Sequence, residues 1–302
     1  MAHGTKLVIY AALTGNALIA VTKFVAAAVT GSAAMMAEGI HSLVDTGNQV
    51  LLLHGMRRAK KPANARFPFG HGKEIYFWSF VVAIMVFAVG AGVSIYEGVH
   101  RVLQPEVVTD PIVNYIVLAI AFAFEGAAWW MAWREFRGQR HGRSIAKTVQ
   151  TSKDPITFVV LFEDSAALLG LVVAAVGLAL SQVLEMPVFD GAASIGIGVI
   201  LAVTAMWLAM RTKSLLIGEA AEPAMVADVT NRAAALPAVV AVNEVLTLHM
   251  GPDYVLLNIS VDFADDLPAG DIEQAVEALT REIRGAHPRI QRVFVEAESR
   301  PI

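Results

Sequence analysis

The sequence predicts an α-helical bundle of six membrane spans followed by a small soluble α+β domain. Of the 302 residues, 56% are hydrophobic and only 17% are charged, which is more apolar and less charged than a soluble protein usually is. After Arg211 and Lys213, continuous apolar sequence gives way to alternating charged and apolar residues. We therefore expect a membrane domain over residues 1–217 and a soluble domain over residues 218–302.

Six apolar stretches are long enough to cross about 30 Å of hydrocarbon as helices. We place these spans at residues 7–29, 32–55, 75–101, 111–133, 156–183 and 189–210. The N-terminal residues run into the first stretch without a small-residue cleavage pattern, so we expect the first span to be retained.

Lysine and arginine are unevenly distributed among the loops. They follow the second span (Arg57, Arg58, Lys60, Lys61, Arg66, Lys73) and the fourth (Arg134, Arg137, Arg140, Arg143, Lys147, Lys153). The loops after the first, third and fifth spans hold almost none. By the positive-inside rule, both termini are expected to be cytoplasmic, in a bacterial inner membrane or with the equivalent orientation in a mitochondrial one.

Composition and motifs argue against several other classes of protein. The chain has no cysteine, which excludes disulfides and thiolate metal ligands. Its net charge of −4, with both signs mixed, does not indicate nucleic-acid binding. It has neither a GxxxxGKS/T phosphate loop nor an HExxH metalloprotease motif. We therefore expect no ATP-driven chemistry, no organic cofactor and no enzyme.

The soluble part reads as helix, strand, strand, helix, strand. Apolar residues recur at helical spacing in PAMVADVTNRAAALP and AGDIEQAVEALTREIRGAH, whereas AVVAVNEVLTLHM, YVLLNISVDF and IQRVFVE have the pattern of strands. The turn signal GPD separates the first two strands. This order predicts a compact sandwich with the helices on one face of a sheet.

Four polar residues of the second span share one helix face. At 100° per residue they fall at about 0°, 300°, 340° and 280°. They are Glu38, His41, Asp45 and Asn48. His41 and Asp45 are one turn apart, so an imidazole nitrogen and a carboxylate oxygen can converge on one divalent cation.

The depth of this pair in the membrane favours a functional role. His41 and Asp45 lie roughly 13 to 20 Å from the start of the span, near the bilayer centre. Polar residues there often only hydrogen-bond neighbouring helices. An Asp at that depth, however, costs about 2.5 to 3.5 kcal/mol, which favours function by default.

Asp164 in the fifth span lies at a matching depth, roughly 13 Å from the cytoplasmic end. Two carboxylates and one imidazole suit zinc, and manganese, iron(II) or cobalt can also bind them. His41, Asp45 and Asp164 are therefore the candidate ligands of a central metal site. Water or a fourth side chain would complete the shell.

Three of the other charged residues inside the predicted spans bear on this site. Glu125 in the fourth span is near the midplane and is a candidate fourth ligand, proton relay or structural hydrogen-bonding group. Glu163 lies about 100° around the helix from Asp164, so we place a structural role ahead of ligation. Lys23 in the first span is expected to pair with Glu38 or another acidic group, the alternative being that it snorkels to the membrane surface.

These segments together resemble the cation diffusion facilitators, a family of proton-coupled divalent metal exporters. The resemblance covers essentially the whole chain and rests on GSAAMMAEGIHSLVDTGNQ, FPFGHGKE, Asp164, LHMGPDYVLL and VFVEAES. SIYEGV, FEDSAALLG and LLIGEAAEP are similar to the branch that includes the mitochondrial zinc exporter. Membership implies homodimers, alternating access, a ferredoxin-like cytoplasmic domain and a tetrahedral site shared by spans two and five.

The chain also departs from the family pattern. Val160 occupies the position where the family usually has a His or Asp one turn before the span-five Asp. His71 is present in the FGHGK loop, but Phe67 stands where some relatives have a second His, so a stable second metal is not expected there. In the soluble domain, candidate regulatory ligands are His249, Glu273, Glu296 and Glu298, for which a solvated charged edge is an equally good interpretation.

The ligand chemistry predicts how transport is driven. An imidazole and carboxylates must lose protons to bind a cation, so metal and protons compete for the same groups. We expect proton-coupled efflux of a divalent cation, zinc first, across the lipid bilayer. A passive divalent-cation channel and a membrane-anchored metal sensor are the alternatives.

Overall fold

The computed structural model describes residues 3–139 and 144–299, so that Arg140 and Arg143 of the predicted cytoplasmic cluster lie outside it. Two compact units are present. The first takes in the described residues of Met1–Met56, Phe77–Gln150 and Pro155–Thr212, and the second those of Arg57–Tyr76, Thr151–Asp154 and Lys213–Ile302.

The N-terminal part of the chain is helical. Its helices are α1 (His3–Thr30), α2 (Ala33–Ala59), α3 (Glu74–Met85), α4 (Gly92–Leu103), α5 (Pro111–Gln139), α6 (Ile145–Thr151), α7 (Pro155–Val183) and α8 (Val188–Ile217). A π-helical segment, Val86–Ala91, joins α3 to α4. The six predicted spans fall within α1, α2, α3 to α4, α5, α7 and α8. The short α6 is a helix that the hydropathy pattern did not predict.

Five of the described helices are long and apolar enough to cross a membrane: α1, the continuous α3 to α4 helix, α5, α7 and α8. The remaining predicted span, the second, corresponds to α2, which has 27 residues but carries the polar stripe and two arginines at its end. Large apolar side chains point outward from the bundle, as Leu18, Val21, Val25 and Val29 do along α1. In water such a surface would be unstable, whereas hydrocarbon accommodates it.

Asp190 at the start of α8 fixes the turn between α1 and α2. Its Oδ1 accepts a hydrogen bond of 2.5 Å from the Ser32 hydroxyl, and its Oδ2 accepts one of 2.5 Å from the Ala33 backbone N–H. A carboxylate at this place satisfies N–H groups that the first turn of a helix leaves free. From α4, Arg101 Nη2 donates to the Gly31 carbonyl at 2.6 Å. These contacts hold the first turn of α2.

The C-terminal part of the second unit is α+β. Its elements are α9 (Pro223–Ala234), β1 (Val239–Gly251), β2 (Tyr254–Phe263), α10 (Ala269–Ala286) and β3 (Ile290–Ala297). This confirms the predicted order of helices and strands. The sheet order is β1-β2-β3, with β1 and β2 antiparallel and β2 and β3 parallel. The core contains Val229, Ala233, Leu257, Ile259, Leu279 and Ile283.

Two loop segments pack with these C-terminal residues inside the second unit. Gly72 lies so close to the end of β1 that a Cβ on it would come within 2.3 Å of the Met250 carbonyl oxygen. Tyr76 donates its hydroxyl to the Lys153 carbonyl at 3.2 Å, and the Lys153 ammonium pairs with Glu219. The second unit therefore combines the C-terminal residues from Lys213 onward with two loop segments that precede them in sequence.

Candidate metal site

His41 and Asp45 lie one turn apart on α2, as their spacing predicts. His41 is buried, and its Nε2 is 3.4 Å from Asp45 Oδ2. The approach is not aligned as a hydrogen bond, and neither ring nitrogen has a hydrogen-bond partner among the described residues. The pair therefore has two imidazole nitrogens and a carboxylate available to a ligand.

A cavity of about 260 Å³ lies between α1, α2, α5 and α7. Its polar lining consists of Asn16, Ser42, Asp45, Gln49, Glu125 and Asp164. Apolar side chains complete the wall, and one of them is Val160 on α7. The structure thus brings together the predicted ligands of α2 and α7, Asp45 and Asp164, and adds Glu125 from α5.

His41 is not among the residues that line this cavity. In the part of the chain that the structure describes, no three His, Cys, Asp or Glu side chains are grouped so that they could hold a metal ion together. The predicted triad of His41, Asp45 and Asp164 is therefore not assembled in this conformation. Bringing its three members onto one ion requires a rearrangement of side chains or helices.

Glu163 serves a different contact from its neighbour Asp164. The Asn48 side-chain amide donates to Glu163 Oε1 at 3.1 Å, and both residues are buried. Glu163 is absent from the cavity lining. This agrees with the structural role that its angle on the helix favoured, and it makes Asn48 of the polar stripe a partner of Glu163.

Lys23 is fully buried and does not snorkel. Its ammonium donates to Glu38 Oε2 at 2.9 Å, to the Ser42 hydroxyl at 2.8 Å and to Glu125 Oε1 at 2.8 Å. The expected pairing with Glu38 is present, and Glu125 is a second carboxylate partner. Sequence reasoning missed Ser42, although its position one turn after Glu38 places both on one helix face.

Several buried polar atoms around the cavity have no hydrogen-bond partner among the described residues. They include Asp45 Oδ1 and Glu125 Oε2 in addition to both nitrogens of His41. Buried polar groups are nearly always satisfied by protein, water or an ion. Carboxylates that share a cavity also repel one another unless a cation or protons lie between them. The chemistry of these donors suits a divalent cation, although they are not gathered around one point in this conformation.

The candidate ligands of the second unit lie in separate settings. His71 Nδ1 is 3.3 Å from the Lys61 carbonyl oxygen, and the His71 ring packs against Phe67. His249 is buried on β1 with its Nδ1 3.3 Å from the Gly251 carbonyl oxygen. The other three are exposed acids: Glu273, Glu296 and Glu298. Glu298 accepts a hydrogen bond from Ser260 at 3.1 Å.

Comparison with known proteins places the chain in a family. Residues 9–217 match the model of the cation efflux transmembrane domain. The chain is 34% identical over 262 residues to the mitochondrial proton-coupled zinc antiporter SLC30A9 of Mus musculus, an alignment that covers 86% of this chain and 46% of that protein. It is 31% identical over 211 residues to metal tolerance protein C4 of Arabidopsis thaliana, covering 69% and 46%.

A bacterial relative matches over more of its length. Magnetosome protein MamB of Magnetospira sp. (strain QH-2) is 25% identical over 288 residues, which is 91% of each chain. By contrast, the chain spans about half the length of the zinc antiporter and the plant protein, 46% in each case. The family match and the five apolar helices identify a multi-pass integral membrane protein. The chain belongs to the cation diffusion facilitator family and resembles its mitochondrial zinc antiporter branch.

Proposed function

We propose that this protein exports a divalent metal cation, zinc before others, in exchange for protons and by alternating access. The observation that carries the proposal is the cavity between α1, α2, α5 and α7. There, carboxylates from three helices face one space, and two of them have a buried oxygen without a partner among the described residues. Charged groups at such a depth are costly and are kept where ions or protons pass.

His41, Asp45 and Asp164 are the proposed central ligands. Asp45 and Asp164 already face the cavity, and His41 stands beside Asp45 with both nitrogens available. Each group must be deprotonated to bind a cation, so protons arriving from the other side compete with the cargo and release it. A site opened alternately to each side then couples cation movement to opposite proton movement.

The choice of zinc rests on ligand chemistry and on similarity. Imidazole and carboxylate ligands suit zinc, while manganese, iron(II) and cobalt remain chemically acceptable cargo. The name of the relative SLC30A9 describes a zinc antiporter, which supports zinc here. A competition assay that adds each of these metals to a zinc transport reaction at a fixed pH gradient ranks them.

The proposed transporter has six membrane spans, cytoplasmic termini and a C-terminal cytoplasmic domain. The polar α2 crosses the membrane in addition to the five apolar helices, which makes six spans. Its polar stripe faces the bundle, where it meets Lys23, Glu163 and the cavity. Both termini lie in the cytoplasm, and two copies form a homodimer, as in the family the sequence resembles. The C-terminal α+β unit is proposed to be a ferredoxin-like domain, which its helix, strand, strand, helix, strand order supports.

Transport by purified protein in liposomes tests the function. With a zinc-sensitive dye and a pH-sensitive dye inside, the wild-type protein is expected to move zinc and protons in opposite directions. Asp45→Asn and Asp164→Asn are each expected to reduce zinc flux by at least about tenfold, since each removes a charged ligand. Glu185→Gln, which neutralises an exposed carboxylate between α7 and α8, is the matched control and is expected to transport normally.

The same assay separates the alternatives. Zinc flux without proton movement indicates a passive channel, and zinc binding without flux indicates a metal sensor. Undiminished coupled transport by both Asp45→Asn and Asp164→Asn would place the cargo site elsewhere.

A further inference from the structure

We propose that Glu125 is a cargo ligand in the cavity, where α7 presents the apolar side chain of Val160 in addition to Asp164, and that Lys23 is the positioning residue that holds Glu125 at the cavity wall. This inference rests on the proposed function, because it concerns the shell of the same cargo. It assigns roles to α5 and α1, whereas the proposed central ligands come from α2 and α7.

The two oxygens of Glu125 have different surroundings. Oε1 accepts the Lys23 ammonium at 2.8 Å, whereas Oε2 is buried and has no hydrogen-bond partner in the described parts of the chain. Glu125 lines the cavity together with Asp45 and Asp164. A carboxylate anchored through one oxygen and free at the other is the form expected of a metal ligand supported from behind.

Lys23 provides an anchor of defined position. Its ammonium has three protons, and the structure gives it three acceptors: Glu38, Ser42 and Glu125. These acceptors come from α2 and α5, while Lys23 itself is on α1. Burying an ammonium costs several kcal/mol unless carboxylates pair with it, so the cluster is stable only with its charges together. The Lys23 nitrogen is therefore fixed by three helices at once.

The other acids near the site are less suited than Glu125 to bind the cargo in the cavity beside Val160. Glu163 accepts the Asn48 amide at 3.1 Å and is absent from the cavity lining. Glu38 is also absent from that lining, and its Oε1 packs so closely on α7 that a Cβ on Gly170 would lie 2.4 Å from it. Glu125 remains as the carboxylate that both faces the cavity with Asp45 and Asp164 and is held from outside it.

Lys23 acts on the cargo through Glu125. A direct approach of ammonium and metal ion would be repulsive, but the carboxylate of Glu125 lies between them and is attracted to both. Loss of a group that orients a metal ligand typically lowers metal affinity about 10- to 100-fold. Without Lys23, the Glu125 side chain can adopt more conformations. Binding of the cargo must then fix one of them, which lowers the affinity.

Zinc binding to the full-length protein in detergent, measured by calorimetry, tests this. Glu125→Gln is expected to weaken zinc binding at least about tenfold, and Glu125→Asp, which keeps the charge beside Lys23 but withdraws the free oxygen, is expected to fall between it and the wild type. Glu163→Gln is the matched control, an acid-to-amide change at a neighbouring buried site, and is expected to bind zinc within about threefold of the wild type.

Lys23 is tested together with Glu38, because Lys23→Met alone would leave a buried carboxylate uncompensated. The double variant that carries both Lys23→Met and Glu38→Gln is expected to bind zinc about 10- to 100-fold more weakly than the single variant Glu38→Gln. When Glu125→Gln and Glu38→Gln are both present, adding Lys23→Met is expected to change zinc affinity little further. The effects of two residues that act through one another are not additive. Cobalt(II) absorption is expected to change in the visible range in every variant that loses a ligand.

Each outcome has a distinct meaning. If Glu125→Gln binds zinc like the wild type while Asp45→Asn does not, this inference is overturned and the proposed function stands. If Asp45→Asn also binds normally, the proposed cargo site fails, and the liposome assay then decides whether the protein transports zinc at all. If Lys23→Met weakens binding equally with and without Glu125, Lys23 does not act by positioning Glu125. If the Lys23 variants do not fold, Glu125→Gln and Glu125→Asp still decide the ligand.

Discussion

At the level of single residues, the buried polar groups of the membrane helices differ in whether they have a hydrogen-bond partner. Asn48 donates a hydrogen bond to Glu163, and the Lys23 ammonium donates to three acceptors. By contrast, both His41 nitrogens and one oxygen of Asp45 have no hydrogen-bond partner among the described residues. Unsatisfied buried groups are costly, and a cation bound at the proposed site would give these atoms a partner.

In the C-terminal unit, a buried histidine makes stability depend on pH. Burial lowers the pKa of His249 below its ordinary value of 6.5, and nearby Lys153 and Arg289 lower it further. The unfolded chain therefore takes up a proton as pH falls through about 6.5, while the folded unit does not. Its stability is fully present at neutral pH and decreases below about pH 6.5.

We therefore expect amide exchange of β1 and β2 in the full-length protein to become faster between pH 7.5 and 5.5, after correction for intrinsic exchange rates. His249→Gln is expected to flatten this dependence, because glutamine does not titrate. His100→Gln, at an exposed position on α4, serves as the control and keeps the wild-type slope. An unchanged slope in His249→Gln would show that the pH dependence has another source.

At the level of elements, small residues let the membrane helices approach closely. A Cβ on Gly98 of α4 would lie 2.7 Å from the Gly191 carbonyl oxygen and 2.7 Å from the Ile195 backbone nitrogen, both on α8. Gly177 of α7 is in a similar position against Ala193, where a Cβ would lie 2.3 Å from the alanine methyl. Close backbone contact of this kind stabilises helix pairs in membranes, where hydrophobic driving forces are weak.

Gly98→Ala is therefore expected to destabilise the bundle by about 1–3 kcal/mol, because backbone atoms of α8 cannot move aside as a side chain can. Thermal unfolding of the purified protein measures this. Gly138→Ala on α5 is the matched control, since nothing lies within 4 Å of a Cβ placed there. It is expected to be neutral or to stabilise by up to about 1 kcal/mol through higher helix propensity. Equal unfolding temperatures for both variants would show that α4 and α8 are not tightly packed at Gly98.

The sequence predicts where the membrane helices lie along the chain better than it predicts how they face one another. Apolar length locates the spans, and the spacing of four residues brings His41 and Asp45 together. It does not tell whether Glu125 faces the cavity, because α5 is apolar around its circumference and periodicity does not fix its rotation. In the C-terminal unit, by contrast, the spacing of apolar residues predicts the order of helices and strands, which the structure confirms. The parallel pairing of β2 and β3 then follows from the α10 crossover.

At the level of the whole molecule, the distribution of charge along the sequence predicts an orientation in the membrane. Positive residues follow the second and fourth predicted spans, and apolar side chains cover the outside of the helices. Whether the polar α2 crosses the membrane decides the topology. If it crosses, the chain has six spans and both termini lie on one side. Without it, five spans would place the termini on opposite sides. The sidedness of the termini therefore tests whether α2 crosses the membrane.

The absence of cysteine in the chain makes labelling free of background. We expect, in right-side-out vesicles, a membrane-impermeant maleimide to label Val107→Cys, an exposed position between α4 and α5. Glu273→Cys on α10 and a cysteine added ahead of Met1 are both expected to react only after the membrane is permeabilised. Full labelling of all three after permeabilisation is the control for reactivity. Labelling of the N-terminal cysteine from outside, with Glu273→Cys still protected, would show that α2 does not cross, because five crossings alone separate the two ends.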